Sequence, residues 1–381
     1  MMTSTESSSP SQLQKSADKI LRVGIIGIGE VAQSIHLPTL ALLSHLFKVV
    51  AICDISQEAL RHCSQKFNIP RIYSSDEDLC SDSEVDLVFI LTGDEFHADQ
   101  VILALKNNKH VLVEKPVAIS IPAAQRMVEA EKCSNGKVFV AYMRRYSAAL
   151  QTFINELSTV PQGDIRFARV RDIIGPNAFF VDQSGTFAQK FTDFPPDAVT
   201  RRTELAACLV REAYEGHTEI TPLMTRFCRF LGALGSHDLS VMREVLGMPK
   251  GCTGVSMHPP FFTATFEYEN FAVCYESGMD SVPRFDAHVQ VYTANKTLKL
   301  QYDTPYVKGL PVKVIVDEKT ASGAFQTRDI LTTYEDAYTS ELTELHACLT
   351  TGKEIKTTIT DAIGDLEIFQ MVLRCAFPLR V

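Results

Sequence analysis

The apolar positions of this chain follow two rhythms. Between residues 21 and 142 they gather in short runs, at 22–26, 49–54 (VVAICD), 85–91 (VDLVFIL), 110–113 and 138–142, with a minor one at 71–73. Runs this short and this continuously apolar predict parallel strands covered on both faces. The stretches between them carry helical spacing. In 56–67, Ser56 stands where an N-cap belongs, and Ala59, Leu60, Cys63 and Phe67 fall on one face. Residues 98–107 and 122–133 read as further helices and 75–79 as a short acidic one. Residues 31–47 read as a helix interrupted at Pro38, whose missing N–H favours a break or a fresh helix start. Such alternation predicts a doubly wound parallel α/β sheet, whose ligands bind beyond the carboxyl ends of the strands.

The second rhythm begins after Tyr146. A helix over 148–157 leads to 165–173 (IRFARVRDI), which alternates with period two. Residues 175–197 are poorly periodic, and 198–214 and 221–231 have helical spacing. From 254 to 316 the chain alternates again, most clearly in TATFEY, FAVCYES, AHVQVYT and KTLKLQY. Short connections between successive strands predict a second, α+β domain with a largely antiparallel, open-faced sheet packed by helices on one face. Helices over 339–350 and 361–375 close the chain. The expected organisation is a disordered Ser/Thr-rich tail over 1–20, a parallel α/β domain over 21–146, and the second domain over 147–381, with its last helix free to pack back on the first. A cleaved targeting peptide is the alternative for the tail.

Composition narrows the class. A chain of 381 residues, 45% hydrophobic and 22% charged, has material for two cores. A net charge of -9 and the lack of any Lys/Arg run argue against nucleic-acid binding. No run of about 18 apolar residues is available to span a membrane. Ten cysteines are scattered without a C-x-x-C pair or matching histidine spacing, which predicts free thiols in a reducing, cytoplasmic setting and no metal site.

The chemistry concentrates at strand ends. Behind the first strand stands Gly27-x-Gly29-x-x-Ala32: a tight turn at Gly27, room for a pyrophosphate at Gly29, and close helix packing at Ala32. The first N–H groups of the next helix, around Glu30 and Val31, then face phosphate. Glu30 suits that place only if it points to solvent. Asp54, about 25 residues past the glycines, is placed to accept both ribose hydroxyls of an adenosine, and its charge favours NAD over NADP. Thr92, Glu114-Lys115-Pro116 and Tyr142-Met143-Arg144-Arg145 fall at later strand ends.

With the glycine fingerprint, Asp54, His97-Ala98 opening a helix, Glu114-Lys115-Pro116 and YMRRY, the chain resembles the glucose-fructose oxidoreductase / inositol dehydrogenase / MocA family. The resemblance runs from Leu21 onward, strong in the first domain and patchy in the second. It implies a Rossmann domain holding NAD(P) and a second domain that holds substrate and forms a homodimer or homotetramer through its sheet. The implied activity is oxidation or reduction of a carbinol or carbonyl in a sugar, cyclitol or related metabolite. Lys115 is assigned beside the nicotinamide and the reacting oxygen, where an ammonium stabilises alkoxide character. Thr92, His97, Glu114 and Pro116 join the cofactor contacts, with a structural helix-start role as the alternative for His97. A cis Lys115-Pro116 peptide is also a family habit.

A second family signature, Asp then His four residues on, falls on 231–247 (LGALGSHDLSVMREVLG). His237 matches the histidine as acid/base, but Ala233 stands where the family has aspartate. Asp238 replaces that acid if a helix begins at Gly235-Ser236, and otherwise serves as a cap. Tyr142, Arg144 and Arg171 are assigned to substrate, against interdomain salt bridging for the arginines. Alternation lets only one of Arg171 and Asp172 reach the cleft. Residues 302–308 (YDTPYVK) belong to the open sheet or an oligomer contact. The missing acid keeps two other classes in play: a redox-neutral enzyme that retains NAD, and a non-catalytic ligand sensor or co-repressor. Finally, 175–230 exceeds the expected family connection, so part of it, 183–196, is expected to lid the substrate cleft and set selectivity without affecting dinucleotide affinity.

Overall fold

The computed structural model describes residues 19–379, so most of the expected tail falls outside the described residues. Its first sheet has six strands in the order β3-β2-β1-β4-β5-β6, all parallel: β1 (Leu21–Ile26), β2 (Phe47–Cys53), β3 (Arg71–Tyr73), β4 (Leu87–Ile90), β5 (His110–Glu114) and β6 (Val138–Ala141). Every residue of β4 and β6 is buried, as the unbroken apolar runs require. Strand order reverses between β1 and β4, and a doubly wound sheet opens a crevice at that point.

Between β1 and β2 a fresh α-helix starts around Pro38, without a break in the chain's helical path. A π-helical turn, Ala32–His36, runs directly into α1 (Leu37–Leu42), with Pro38 in the first α turn, where no backbone donor is called for. Phe47, expected at the end of this helix, opens β2 instead. α2 (Gln57–Phe67) is capped by Ser56, whose Oγ accepts from Ala59 N at 3.0 Å, and α3 (Asp76–Ser81) by Ser75. α4 (His97–Lys106) and α5 (Ile121–Lys132) complete the layers.

A 3-10 turn, Met143–Tyr146, and α6 (Ala148–Ser158) lead to the second sheet. It has eight strands in the order β14-β13-β12-β11-β7-β10-β9-β8. These are β7 (Ile165–Ile174), β8 (Gly251–His258), β9 (Phe261–Glu267), β10 (Ala272–Met279), β11 (Phe285–Thr293), β12 (Lys296–Tyr302), β13 (Lys313–Lys319) and β14 (Phe325–Ile330). All pairs are antiparallel except β7 with β10, so the sheet is mixed. β14 escaped the sequence pattern because it is an edge strand with no buried position.

Between β7 and β8 come α7 (Asn177–Val181), α8 (Ala198–Ala213), α9 (Pro222–Phe230), a second π-helical turn, Leu231–Gly235, and α10 (Ser236–Leu246). α11 (Ala337–Thr351) and α12 (Ile359–Ala376) follow the sheet. α6, α10 and α12 cover one sheet face, and α12 also packs on α5 and β6 of the first sheet. All ten cysteines are free. Among the described residues no helix is long and apolar enough to cross a membrane.

Candidate functional site

The glycine turn is shaped by sterics before any ligand enters. Gly27 has φ +87°, and a Cβ there would stand 2.9 Å from the Leu91 and Thr92 backbone. At Gly29 a Cβ would meet no protein atom within 4 Å, so what glycine keeps clear is open space beside the helix start. Ala32 is buried. Asp54 is fixed by two backbone donors, Ile28 N and Ser56 N, both at 2.9 Å, which hold its carboxylate at the end of β2 beside the turn. Glu30 turns toward Lys190 at 3.9 Å, and Val31 is half-buried. Among the described residues no group of three or more His, Cys, Asp or Glu side chains is arranged to hold a metal ion.

Thr92 ties this turn to a polar cleft. Its Cγ2 would be 2.8 Å from a Gly27 Cβ, and it lines a cavity of about 560 Å³ with Asp94, His97, Lys115, Pro116 and Ala233. From the other side come Thr225, Arg226, Arg229 and Phe230 of α9. The Lys115 ammonium donates to the Ala233 carbonyl at 2.6 Å, inside the π turn. Thus the residue that lacks the expected carboxylate still supplies an oxygen, from its backbone. The Lys115-Pro116 peptide is cis. Burial lowers the Lys115 pKa, while Glu114 and Asp94 oppose the shift.

The His97 ring sits between two carbonyls, Pro116 O at 2.8 Å from Nδ1 and Thr92 O at 3.2 Å from Nε2; burial lowers its pKa, so the neutral ring donates its single N–H to one of them. Glu114 is also a support: buried, it pairs with His36 at 2.8 Å and accepts from Lys115 N at 3.2 Å. His237 is half-buried, and among the described residues its ring takes no hydrogen bond. Burial and the positive charges of Lys115 and Arg144 hold its pKa well below the ordinary imidazole range, which leaves it neutral.

Asp94 and Glu95, missed in the sequence, divide their protons unevenly. Burial and the adjacent Glu95 push Asp94 up to about 7. Glu95, although burial opposes it, is held down at about 2 by hydrogen bonding from Asp94 and its own backbone and by Arg229 and Arg202. Arg229 Nη2 reaches Asp94 at 2.8 Å and Glu95 at 2.7 Å, and Arg202 Nε reaches Glu95 at 2.6 Å. The signal was available, since a loop that follows a central parallel strand sits at the ligand edge.

Four residues assigned to substrate from the sequence, Asp238, Arg171, Tyr142 and Arg144, meet protein partners instead. Asp238 is at no helix start, because α9, the π turn and α10 form one continuous rod. It is buried and paired with Arg144, which also reaches Asp172 at 3.3 Å and stacks over Tyr302 at 4.5 Å. Burial and the neighbouring Asp172 raise the Asp238 pKa well above the carboxylate range, and Arg144, shared between the two carboxylates, opposes that shift. Arg171 lies on the outer sheet face, bonded to Glu276 and to Asp286 at 3.1 Å, and Asp172 takes the inner face. Tyr142 is buried at the junction of the two sheets under Arg145, which is paired with Glu244 and Asp361. Arg144 and Arg145 therefore follow the salt-bridging alternative.

The 183–196 segment does not lid this cleft. It lies across the first domain: Gln189 N donates to Gln33 Oε1 at 2.9 Å and Gln33 Nε2 to Gln189 O at 3.0 Å. Lys66 Nζ reaches Thr186 O and Phe187 O, and Asp193 meets Ser56 and Glu58 N at the start of α2. The part of the long insertion that does wall the cleft is α9.

Residues 21–142 match the family described as GFO_IDH_MocA, oxidoreductase family, NAD-binding Rossmann fold. An inositol 2-dehydrogenase of Salmonella typhimurium is 40% identical over 129 residues, 33% of this chain and 38% of that relative. The chain thus matches under two fifths of that relative's length. Over the whole fold, an oxidoreductase from Thermotoga maritima superposes with a TM-score of 0.71 at 20% identity, covering 94% of this chain and 97% of the other. A levoglucosan dehydrogenase solved with NADH and levoglucosan gives 0.70 at 16%, covering 94% and 98%. At such identity these two likenesses concern the fold.

Proposed function

We propose, from the premise that residues 21–142 belong to the glucose-fructose oxidoreductase / inositol dehydrogenase / MocA family, that the protein is an NAD(P)-dependent dehydrogenase or reductase. Its substrate is a small hydroxy or carbonyl compound of the sugar, cyclitol or diol class. The observation that carries this is Lys115, held against the Ala233 carbonyl in a cleft that Thr92 joins to the glycine turn. The open space at Gly29 and the pre-fixed Asp54 fit a dinucleotide, with Gly27, Gly29, Glu30, Val31 and Ala32 around its pyrophosphate and Asp54 at its adenosine ribose, favouring NAD. When bound, the dinucleotide supplies the hydride acceptor or donor.

The chain's own groups manage the proton. Lys115 has two N–H donors left after Ala233 takes one, and these stabilise charge on the reacting oxygen. His237, neutral because its pKa is depressed, accepts the hydroxyl proton during oxidation and returns it during reduction. Asp172 and Asp238 hold Arg144 behind this pair. Self-association through the outer face of the eight-stranded sheet, where Arg171, Glu276 and Asp286 form a charged cluster, belongs to the same proposal.

The test is to titrate NAD and NADP by calorimetry, then follow nicotinamide absorbance over inositols, sugars and diols, with light scattering on the same samples. Lys115→Ala and His237→Asn should each cut kcat by about 100- to 1,000-fold while dinucleotide affinity stays within a few-fold. Full activity in Lys115→Ala would refute its role. Tight dinucleotide binding without turnover of any compound would favour a ligand sensor.

A further inference from the structure

The strand-end carboxylate Asp54 has a counterpart that arrives from far along the chain. The start of α2 offers the hydroxyl of its cap Ser56 and the N–H of Glu58, and it lies beside Asp54, which accepts from Ser56 N at 2.9 Å. A ribose seated on Asp54 would direct a 2'-phosphate toward these donors, because a helix start offers unpaired N–H groups and a favourable dipole end. In this protein both donors are already taken. Ser56 Oγ bonds Asp193 Oδ1, and Glu58 N donates to Asp193 Oδ2 at 3.0 Å. Those same two bonds lower the Asp193 pKa, so it is ionised at neutral pH.

Asp193 is delivered by an anchored strap. The reciprocal Gln33–Gln189 pair holds one end over the helix that follows the glycine turn. Lys66 holds Thr186 and Phe187, and the Phe191 ring packs 5.6 Å from His62 on α2. Of the cations nearby, Lys66 is bound by the Thr186 and Phe187 carbonyls, and Lys190 is exposed, with its ammonium 3.9 Å from Glu30. A 2'-phosphate would therefore meet the Asp54 and Asp193 carboxylates at the start of α2, where both nearby donors are already occupied.

We propose that Asp193 is a specificity-determining residue that excludes NADP by occupying, with its own carboxylate, the donors a 2'-phosphate would use. This rests on the dinucleotide-binding role proposed above and deepens it, assigning selectivity to the strap as well as to Asp54. Because the strap's other anchors do not involve Asp193, removing that carboxylate leaves the strap in place.

The experiment is calorimetric titration of the full chain with NAD and with NADP, for wild type, Asp193→Ala and Asp193→Arg, each checked for an unchanged thermal midpoint. Wild type should prefer NAD, Asp193→Ala should gain NADP affinity by about tenfold with NAD affinity within about threefold, and Asp193→Arg should shift the ratio further toward NADP. An unchanged NADP-to-NAD ratio in both variants, or equal affinities in wild type, overturns the proposal while leaving dinucleotide binding intact. Failure of every form to bind either dinucleotide instead overturns the underlying cofactor assignment.

Discussion

At Asp94, burial and a neighbouring carboxylate act in the same direction, and the result is a group titrating near pH 7 at the mouth of the cleft. The stability consequence has a definite sign. A carboxyl whose folded pKa is about 7 against an ordinary 3.8 binds its proton more tightly when folded, so its contribution is full below about pH 4 and lost as pH rises through 7. Asp94→Asn removes that dependence. The thermal midpoint of wild type should fall relative to the variant between pH 4 and pH 8; parallel pH profiles would show that Asp94 ionises normally. Glu95 beside it behaves oppositely, because Arg229 and Arg202 favour its charged form.

Among the elements, the continuous rod from Pro222 to Leu246 does the most for the cleft. Its α9 portion contributes Arg226, Arg229 and Phe230 as a wall and its π turn presents the Ala233 carbonyl to Lys115, while His237 and Asp238 on α10 stand outside the cavity lining, Asp238 buried against Arg144. A π turn is wider than an α turn, which is the local irregularity that a simple four-residue spacing does not anticipate. Since α9 borders the cleft and the 183–196 strap does not, their roles should separate. Phe230→Ala should raise KM for the small substrate by about tenfold and leave dinucleotide affinity unchanged. A shift confined to dinucleotide affinity would mean that α9 does not wall the substrate site.

For the whole molecule, the two sheets are joined by charge as well as by apolar packing. Arg145, just past β6, pairs with Glu244 on α10 and Asp361 on α12, and Arg243 reaches Asp361 at 2.8 Å and Asp365 at 2.8 Å. Lys356 adds a bond to Glu244 at 2.8 Å. Asp361 serves two arginines, which lower its pKa despite the burial that opposes the shift. Its stabilising effect is therefore present above about pH 4 and fades as pH falls further. Asp361→Ala leaves Arg145 and Arg243 short of a partner and should cost about 3 kcal/mol in urea unfolding at pH 7, with the deficit shrinking in acid. A loss under about 0.5 kcal/mol would indicate that apolar packing alone joins the sheets.

What the sequence determined by itself was whatever depends on neighbours in the chain. Unbroken apolar runs became the parallel strands, Ser56 became a cap, the glycine spacing became a turn with one blocked and one open position, and Lys115 fell at a strand end. Each follows from sterics, capping or burial acting over a few residues. The tertiary structure decided what depends on distant segments meeting. Arg144 finds Asp238 94 positions away, Gln33 finds Gln189 156 positions away, and Asp193 reaches Ser56 137 positions back. Which of Arg171 and Asp172 faced inward was likewise set by the layer packed against β7, because alternation fixes that neighbours oppose but not which side is buried.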